Sequence, residues 1–347
     1  MKNTSSGKKL LLVGSTHGSV HLRNYYHLIK DYFEDVLVIS TQKIDFCRNE
    51  VINFSLKNPL QSRKSVKRIR QIIQEENPDV IHVHQANACA YLTAKANAGK
   101  KPLILTTWGS DVLLMPQKGF LYRRIVSYAL KHSDVITADA KFMAKAVADI
   151  GISTEVVIAN YGIEYEQIEI PQKENVIYSN RLHHPLYRID WVIKAFAEFH
   201  KKNPDWKLIV GAKGQKSDEL KQLAAEILQE GSYEFIGFVD KDENQRQYLR
   251  SKIWVSVPES DGTAISLLEA MGYGCVPVVS DLPANKEWIE DQQNGQIVQN
   301  DLKEAIEKAA QMDLSKVQEQ NINIVLEKAT KKVNREIYQK IYDQLID

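Results

Sequence analysis

Short apolar runs rich in β-branched residues recur along this chain, each followed by a longer stretch of helical character. Lys9–Gly14, Asp35–Ser40, Val80–Val83, Leu103–Thr107, Val135–Ala138 and Glu155–Ala159 form one series. Val176–Ser179, Trp206–Val210, Tyr233–Ile236, Ile253–Val257, Val276–Ser280 and Gln296–Val298 form a second. Strands that alternate with helices need crossover connections, so both series read as parallel sheets covered by helices on both faces. A chain of 347 residues is longer than one core usually organises, and two domains of roughly 150 to 180 residues are expected. The predicted fold is therefore α/β, with two doubly wound, Rossmann-like domains whose ligand sites lie at the carboxyl ends of the strands and face one another across a cleft.

Asn160–Asn175, with Glu164, Glu166, Glu169 and Pro171, reads as the interdomain linker. The expected division is 1–165, 166–330 and a C-terminal helix at 331–347. One helical stretch is predicted over Val317–Leu345, with Ile322, Val325, Leu326, Ala329, Val333, Ile337 and Ile341 as its apolar stripe. The sequence leaves its packing partner open, the N-terminal domain being one candidate.

Net charge is +1, but the balance is about +6 over residues 1–170 and about −5 over 171–347. A basic first half suits an anionic partner such as a lipid phosphate, while the lack of an overall basic excess argues against general nucleic-acid binding. Cys47, Cys89 and Cys275 form no CxxC pair and read as reduced thiols rather than a disulfide framework or zinc site. Lys8 and Lys9 precede the short run Leu10–Val13 without a small-residue cleavage site. This does not read as a signal peptide, and the expected location is cytoplasmic, including the inner face of the plasma membrane.

The stretch Ser260–Asp281, SDGTAISLLEAMGYGCVPVVSD, carries the most chemical information. A strand runs into a loop with Asp261, Gly262 and Thr263, and a helix is predicted from near Ala264 with Ile265, Leu268 and Met271 on one face. Gly262 permits close backbone approach, and a helix N-terminus offers free N–H groups to a diphosphate. Taken alone, Asp261 reads better as a helix cap and Glu269 as a solvated helix residue; the stretch as a whole outweighs that reading.

The whole stretch resembles the E-x7-E signature of family 4 retaining glycosyltransferases, which have the two-domain GT-B fold, with Asp261 in place of the first Glu and Glu269 matching the second. The resemblance implies that Glu269 holds the nucleotide ribose, Asp261 the sugar hydroxyls, and the amides of Gly262, Thr263 and Ala264 the diphosphate or sugar. Asn180-Arg181-Leu182 is similar to the family's G-R-L, which makes Arg181 a diphosphate ligand. The family's following Lys-Gly pair is replaced by His183-His184-Pro185-Leu186-Tyr187-Arg188, where Arg188 reads as a substitute cation or as a surface cation before a helix. Phe235-Ile236-Gly237-Phe238-Val239 resembles the F-x-G segment that contacts the base through its backbone, which brings in Gly237 and Phe238. Thr107-Trp108-Gly109-Ser110-Asp111 resembles the H-G-S-D turn, with Trp108 where His is frequent. The resemblance implies transfer, with retention, of a hexose-type sugar from a nucleotide diphosphate sugar, UDP-sugar favoured. The acceptor would be a glycan or lipid-linked molecule in bacterial surface polysaccharide synthesis, such as lipopolysaccharide or capsule. No cofactor and no metal are required.

Gly18 and His21, in the first strand-to-helix turn, are further candidates, as are His84, Trp108 and Asp111 on the acceptor side. His82 and His84 share one face of a strand but have no nearby carboxylate to complete a metal site. Asp240-Lys241-Asp242 spells D-x-D yet is better explained by a charged loop. The cluster Arg63, Lys64, Lys67, Arg68 and Arg70 is either a solvated helix face or, with Arg123 and Arg124, a patch for anionic lipid. Dinucleotide and P-loop fingerprints do not occur. Two rivals stay open: a GT-B sugar-nucleotide epimerase, and a catalytically silent sugar-nucleotide-binding or scaffolding subunit.

Overall fold

The computed structural model describes residues 7–15 and 19–346, and the chain packs as two units. The first runs to Tyr161 and includes the segment from Asn334 onward; the second is Gly162–Val333.

In the first unit the order is β1 (Lys9–Val13), α1 (Ser19–Ile29), β2 (Asp35–Ser40), β3 (Arg48–Val51), α2 (Pro59–Glu76), β4 (Val80–His84), α3 (Ala88–Asn97), β5 (Leu103–Thr106), α4 (Ser110–Leu113), α5 (Phe120–Lys131), β6 (Val135–Ala138), α6 (Lys141–Asp149) and β7 (Val156–Ile158). Its seven strands are parallel in the order β3-β2-β1-β4-β5-β6-β7. Side chains alternate faces along each strand. Leu11 and Val13 thus enter a core with Ile81 and Val83, while Leu10 and Leu12 enter another with Tyr25, Val80 and Ile104. Burial on both faces is why these strands read as continuous apolar runs. β3 went unpredicted because Arg48-Asn49-Glu50-Val51 lies at the sheet edge, where charged side chains blunt pairing.

The second unit contains β8 (Glu174–Ser179), α7 (Ile189–His200), β9 (Lys207–Gly211), α8 (Ser217–Ile227), β10 (Tyr233–Gly237), α9 (Lys241–Arg250), β11 (Ser251–Ser256), α10 (Ile265–Gly272), β12 (Val276–Ser280), α11 (Pro283–Lys286), β13 (Gln296–Val298), α12 (Leu302–Gln311) and α13 (Leu314–Lys328). Its parallel order is β10-β9-β8-β11-β12-β13, so the direction of winding reverses between β8 and β11. In such sheets the crevice for a ligand opens at that reversal, beyond the carboxyl ends of the strands.

The single C-terminal helix expected from the sequence is two helices, broken at Ala329-Thr330. Ala329 leaves the α13 geometry, and Thr330 pairs with Ile163 in an isolated parallel bridge, with Ile163 N donating to Ala329 O at 2.7 Å and Lys331 N to Ile163 O at 2.9 Å. The last helix, α14 (Lys331–Ile346), contributes Tyr338, Ile341 and Tyr342 to the first unit's core. Its buried stripe is Asn334, Tyr338, Ile341 and Tyr342 rather than Val333 and Ile337. Polar atoms hid it: the Asn334 Oδ1 accepts from the Asn160 backbone at 2.9 Å, and the Tyr342 hydroxyl meets His82 Nδ1 at 2.8 Å.

Candidate functional site

At the reversal in the second sheet, the loop after β8 meets the loop after β11. Asn180 fixes the first loop: its Oδ1 accepts from Trp254 Nε1 at 2.9 Å, and its Nδ2 donates to Tyr248 Oη at 2.7 Å and Asn244 Oδ1 at 3.0 Å. Arg181, the next residue, donates from Nη2 to Asp261 Oδ2 at 2.5 Å and from Nη1 to Ser266 Oγ at 3.0 Å. Its guanidinium also lies 4.5 Å from the Tyr187 ring centre. The pair is largely withdrawn from water, with side chains 10% exposed for Arg181 and 22% for Asp261. The two residues assigned by resemblance to diphosphate and sugar therefore hold one another.

Asp261 does not cap the helix from its N-cap position. Ala264 occupies that place without a side-chain cap, and the Asp261 carboxylate accepts from Gly262 N at 3.0 Å. The first-turn N–H groups at Ile265 and Ser266 consequently lack an intrahelical acceptor. Thr263 Oγ1 takes a contact from Trp288 Nε1 at 3.4 Å, which anchors the loop. Ile265, expected on the buried face with Leu268 and Met271, is instead exposed; Leu267 takes its place in the core.

Five residues from the α10 N-terminus, Glu269 is half-buried and its Oε2 accepts from Tyr248 Oη at 3.0 Å and Asn244 Nδ2 at 3.3 Å. Asn244 in turn accepts from Tyr178 Oη at 2.7 Å. Among the described residues Oε1 receives no hydrogen bond. Burial raises the Glu269 pKa, opposed by the donated Tyr248 hydroxyl, Lys241 and Asn244. This carboxylate is oriented by one oxygen and open at the other, unlike a solvated helix residue. Tyr248 and Asn244, four apart on α9, were not anticipated; the only sequence signal was that i, i+4 spacing.

Gly237 ends β10 with a φ of +72°, and a Cβ there would lie 2.7 Å from Lys213 Cε. Phe238 follows, 67% exposed. Lys213, just past β9, makes no ion pair among the described residues, and its carbonyl accepts from His183 N at 3.4 Å, so it sits beside the Arg181 loop. Arg188 is differently placed. It lies before α7 at a φ of +51°, with its guanidinium 4.3 Å from the Trp191 ring centre and 3.1 Å from Glu259 Oε1. The substitute-cation reading of Arg188 is thus not supported by a shared contact with Arg181 or Asp261, whereas Lys213 is a cation beside this loop without an ion pair among the described residues. Asp240, from the D-x-D, caps α9 by accepting from Glu243 N at 2.8 Å.

In the first unit, the carboxyl ends of β4 and β5 carry His84 and Trp108. Both His84 and Asp111 are fully buried, so their side chains act from beneath the strand-end surface rather than on it. Asp111 accepts from Ala86 N at 2.6 Å, Trp108 N at 3.0 Å and Val112 N at 3.1 Å, so it ties the two strand-end loops together. Trp108 Nε1 donates to His84 Nδ1 at 3.4 Å. Indole nitrogen only donates, so a neutral His84 carries its proton on Nε2, which is buried and unpartnered among the described residues. Trp108 is half-buried, and exposed His21 rests against it with ring centres 5.0 Å apart. His82 is packed beneath, between Tyr25, Tyr342 and Thr106. Gly18 lies outside the described residues.

Comparison with known proteins bears on both units. Residues 163–323 match the family "Glycosyl transferases group 1", and residues 9–140 match "Glycosyl transferase 4-like". The second unit thus matches the group 1 glycosyltransferases and the first the 4-like glycosyltransferases, which makes the chain a glycosyltransferase of GT-B architecture. It is similar to N-acetyl-alpha-D-glucosaminyl L-malate synthase of Bacillus anthracis, 25% identical over 61% of this chain and 58% of that protein. It is also similar to phosphatidyl-myo-inositol mannosyltransferase of Mycolicibacterium smegmatis, 24% identical over 67% of this chain and 61% of the other. The matches thus span less than two thirds of either relative. Anabaena HepE in complex with UDP shares the fold, with a TM-score of 0.77 at 16% identity over 97% of this chain and 100% of the other.

Proposed function

We propose that the chain transfers a hexose-type sugar, with retention, from a nucleotide diphosphate sugar to a glycan or lipid-linked acceptor, with UDP as the favoured nucleotide. Bacterial surface polysaccharide assembly is the setting this reading favours. The observation that carries it is the convergence of Arg181, the open N–H groups of α10 and the half-satisfied Glu269 at the reversal of the second sheet. Complexes of similar structures with UDP and UDP-glucose support the donor class. A relative named for acting on phosphatidylinositol supports a lipid-linked acceptor.

In this reading Glu269 Oε1 accepts a ribose hydroxyl. Arg181 and the N–H groups at Ile265 and Ser266 meet the charge that grows on the departing diphosphate. Partial withdrawal from water strengthens that interaction. Asp261 orients sugar hydroxyls while holding the Arg181 fork in place. A donor phosphate oxygen takes the acceptor proton on the same face, so the reading needs neither a separate protein base nor a cofactor or metal.

A thermal-shift screen of UDP, GDP and ADP and their sugars tests it, with Glu269→Ala alongside. One nucleotide should stabilise the wild type, and the variant should lose that shift. No shift with any of them would sink the donor assignment. The Arg181–Asp261 pair also suits a silent binder, because it leaves the cation already neutralised. A purified protein that shifts with UDP-sugars but neither hydrolyses nor transfers them would favour that second reading.

A further inference from the structure

One surface of the first unit carries chemistry that a soluble transferase does not need. Phe120 and Leu121, 75% and 69% exposed, open α5 after Gly119, and both project from its first turn. Leu60 at the start of α2 is 67% exposed, and Leu114 ahead of α5 is 58% exposed. Leu121, next to Phe120, also lines a groove of about 480 Å³ between α2, α3 and α5, with Leu56, Val66, Leu92 and Ile125 in its wall and Arg63 and Lys67 among its lining residues; Pro59, beside Leu60, lines it too. Clustered exposed apolar side chains mark an interaction surface, whereas scattered ones do not.

The cations around this surface are sorted by helix geometry. On α2, Arg63, Lys67 and Arg70 recur at i, i+4 and i+7 and share the groove face. Arg68, one step round the helix, pairs with Glu50 and Glu75, each at 3.2 Å, and so leaves the five-residue basic cluster read from the sequence. Arg124 stacks on Phe120 at 5.6 Å, which holds a charge against the exposed ring. Among the described residues, Arg63, Lys67, Arg123 and Arg124 have no carboxylate partner. Unneutralised cations beside an apolar tip fit a phase with negative charge at its surface and hydrocarbon beneath.

We propose that this face docks on an anionic lipid bilayer, with Phe120 and Leu121 entering the headgroup boundary, the α2 and α5 cations on lipid phosphates, and an acyl chain lying in the groove. The inference rests on no feature of the donor site and stands or falls without it. A side chain at the interface adds apolar burial, and each cation near an anionic surface strengthens binding about fivefold.

The test is co-sedimentation of the full chain, without nucleotide, with vesicles of phosphatidylcholine alone or mixed with phosphatidylglycerol. Binding is expected only to the mixed vesicles and should weaken as salt rises. Arg63→Ala with Lys67→Ala should lower it about 25-fold, and Phe120→Ser with Leu121→Ser about tenfold. Equal binding to both vesicles, or to neither, overturns the proposal, as does full binding by either double variant. Because these side chains are at the surface, the variants should melt with the wild type. Should one not fold, Leu121→Cys carrying an environment-sensitive fluorophore, in a Cys47→Ser background, should shift to the blue on mixed vesicles; an unchanged spectrum counts against insertion. A retained UDP shift in the docking variants keeps failure here distinct from failure of the donor reading.

Discussion

Acidification should unfold the first unit well before it protonates most carboxylates, because two neutral histidines lie at its centre. His82 is fully buried, with Nδ1 between the hydroxyls of Tyr25 at 2.9 Å and Tyr342 at 2.8 Å and Nε2 at 2.7 Å from Thr106 Oγ1. His84 stacks on it with ring centres 4.8 Å apart. Burial drives both pKa values down, His82 well below the ordinary range and His84 to about 3, with a second imidazole adding to each, His84 for His82 and His21 for His84. An unfolded histidine titrates near 6.5. Between those values the unfolded chain binds protons that the folded chain does not, so stability is complete above about pH 6.5 and falls as the pH drops toward the folded values. At about pH 5 the loss from His84 is about 2 kcal/mol, and His82 adds to it in the same direction, a sizeable share of a typical folding free energy of about 5 to 15 kcal/mol. Urea titrations at several pH values, with pulsed hydrogen exchange to separate β1, β4 and β5 from the second unit's strands, would measure it. Stability should fall with pH below about 6, and the fall should become clearly shallower in His84→Asn, by about 1 kcal/mol per pH unit. A flat profile from pH 6.5 to 5, or an unchanged slope in the variant, would refute buried neutral imidazoles as its origin.

Asp261→Asn should leave Arg181 without its counter-charge and cost about 1 to 3 kcal/mol of stability in the second unit. Added UDP should then raise the melting temperature more than in wild type, because the diphosphate takes the vacated place; an equal shift would show that Arg181 does not meet the phosphates. Gly162 has a φ of +66°, and a Cβ there would stand 2.5 Å from Lys331 N. Gly162→Ala should therefore cost about 1 to 3 kcal/mol in denaturant titrations, and a neutral result would rule out close backbone packing at that bridge. Hydrogen bonds from Lys241 and Lys331 hold the Glu164 pKa down to about 2, though its side chain is 59% exposed. Its contribution is present above the ordinary glutamate range and lost as pH falls toward 2. Glu164→Gln should cost at most about 1 kcal/mol at low salt and less at high salt, as double-titration melts would show.

Parallel strands declare themselves because burial on both faces leaves little room for polar residues, and the predicted runs in both units became strands. What escaped were an edge strand and the buried face of the C-terminal helix, where stability comes from polar pairing. β3 is charged because it is an edge, and α14 buries tyrosines and an asparagine whose polar tips are satisfied by His82 and the Asn160 backbone. The same distinction divides the site. Arg181, Asp261 and Glu269 sit in segments of fixed spacing and could be singled out. Tyr248 and Asn244 come from α9 and Lys213 from beyond the end of β9, and nothing local marks a tyrosine as the hydrogen-bond donor to a carboxylate 21 residues away. Arg188 gains no shared contact with Arg181 for a related reason, since the left-handed turn at its own backbone puts its guanidinium against Trp191 and Glu259.

The strand ends of the two units also differ in how many hydrogen-bonding groups they leave open, and that difference explains why the donor is easier to read than the acceptor. In the second unit, Glu269 offers a free oxygen, α10 offers unpaired N–H groups, and Lys213 has no carboxylate partner among the described residues. Each group names the chemistry that would complete it: a hydroxyl, an anion, a phosphate. In the first unit, the corresponding polar groups are mostly consumed internally. Asp111 is filled by three backbone amides, and Trp108 spends its only donor on His84. Trp108 also lacks an acceptor and any titration near neutral pH, so it cannot carry a proton as histidine could. What this edge presents outward is the half-buried indole with the His21 ring against it. In the proposed reading, where this edge meets the acceptor, such a surface would select by shape and ring contact rather than by charge. An acceptor chosen that way leaves no carboxylate or cation in the sequence from which its identity could be deduced.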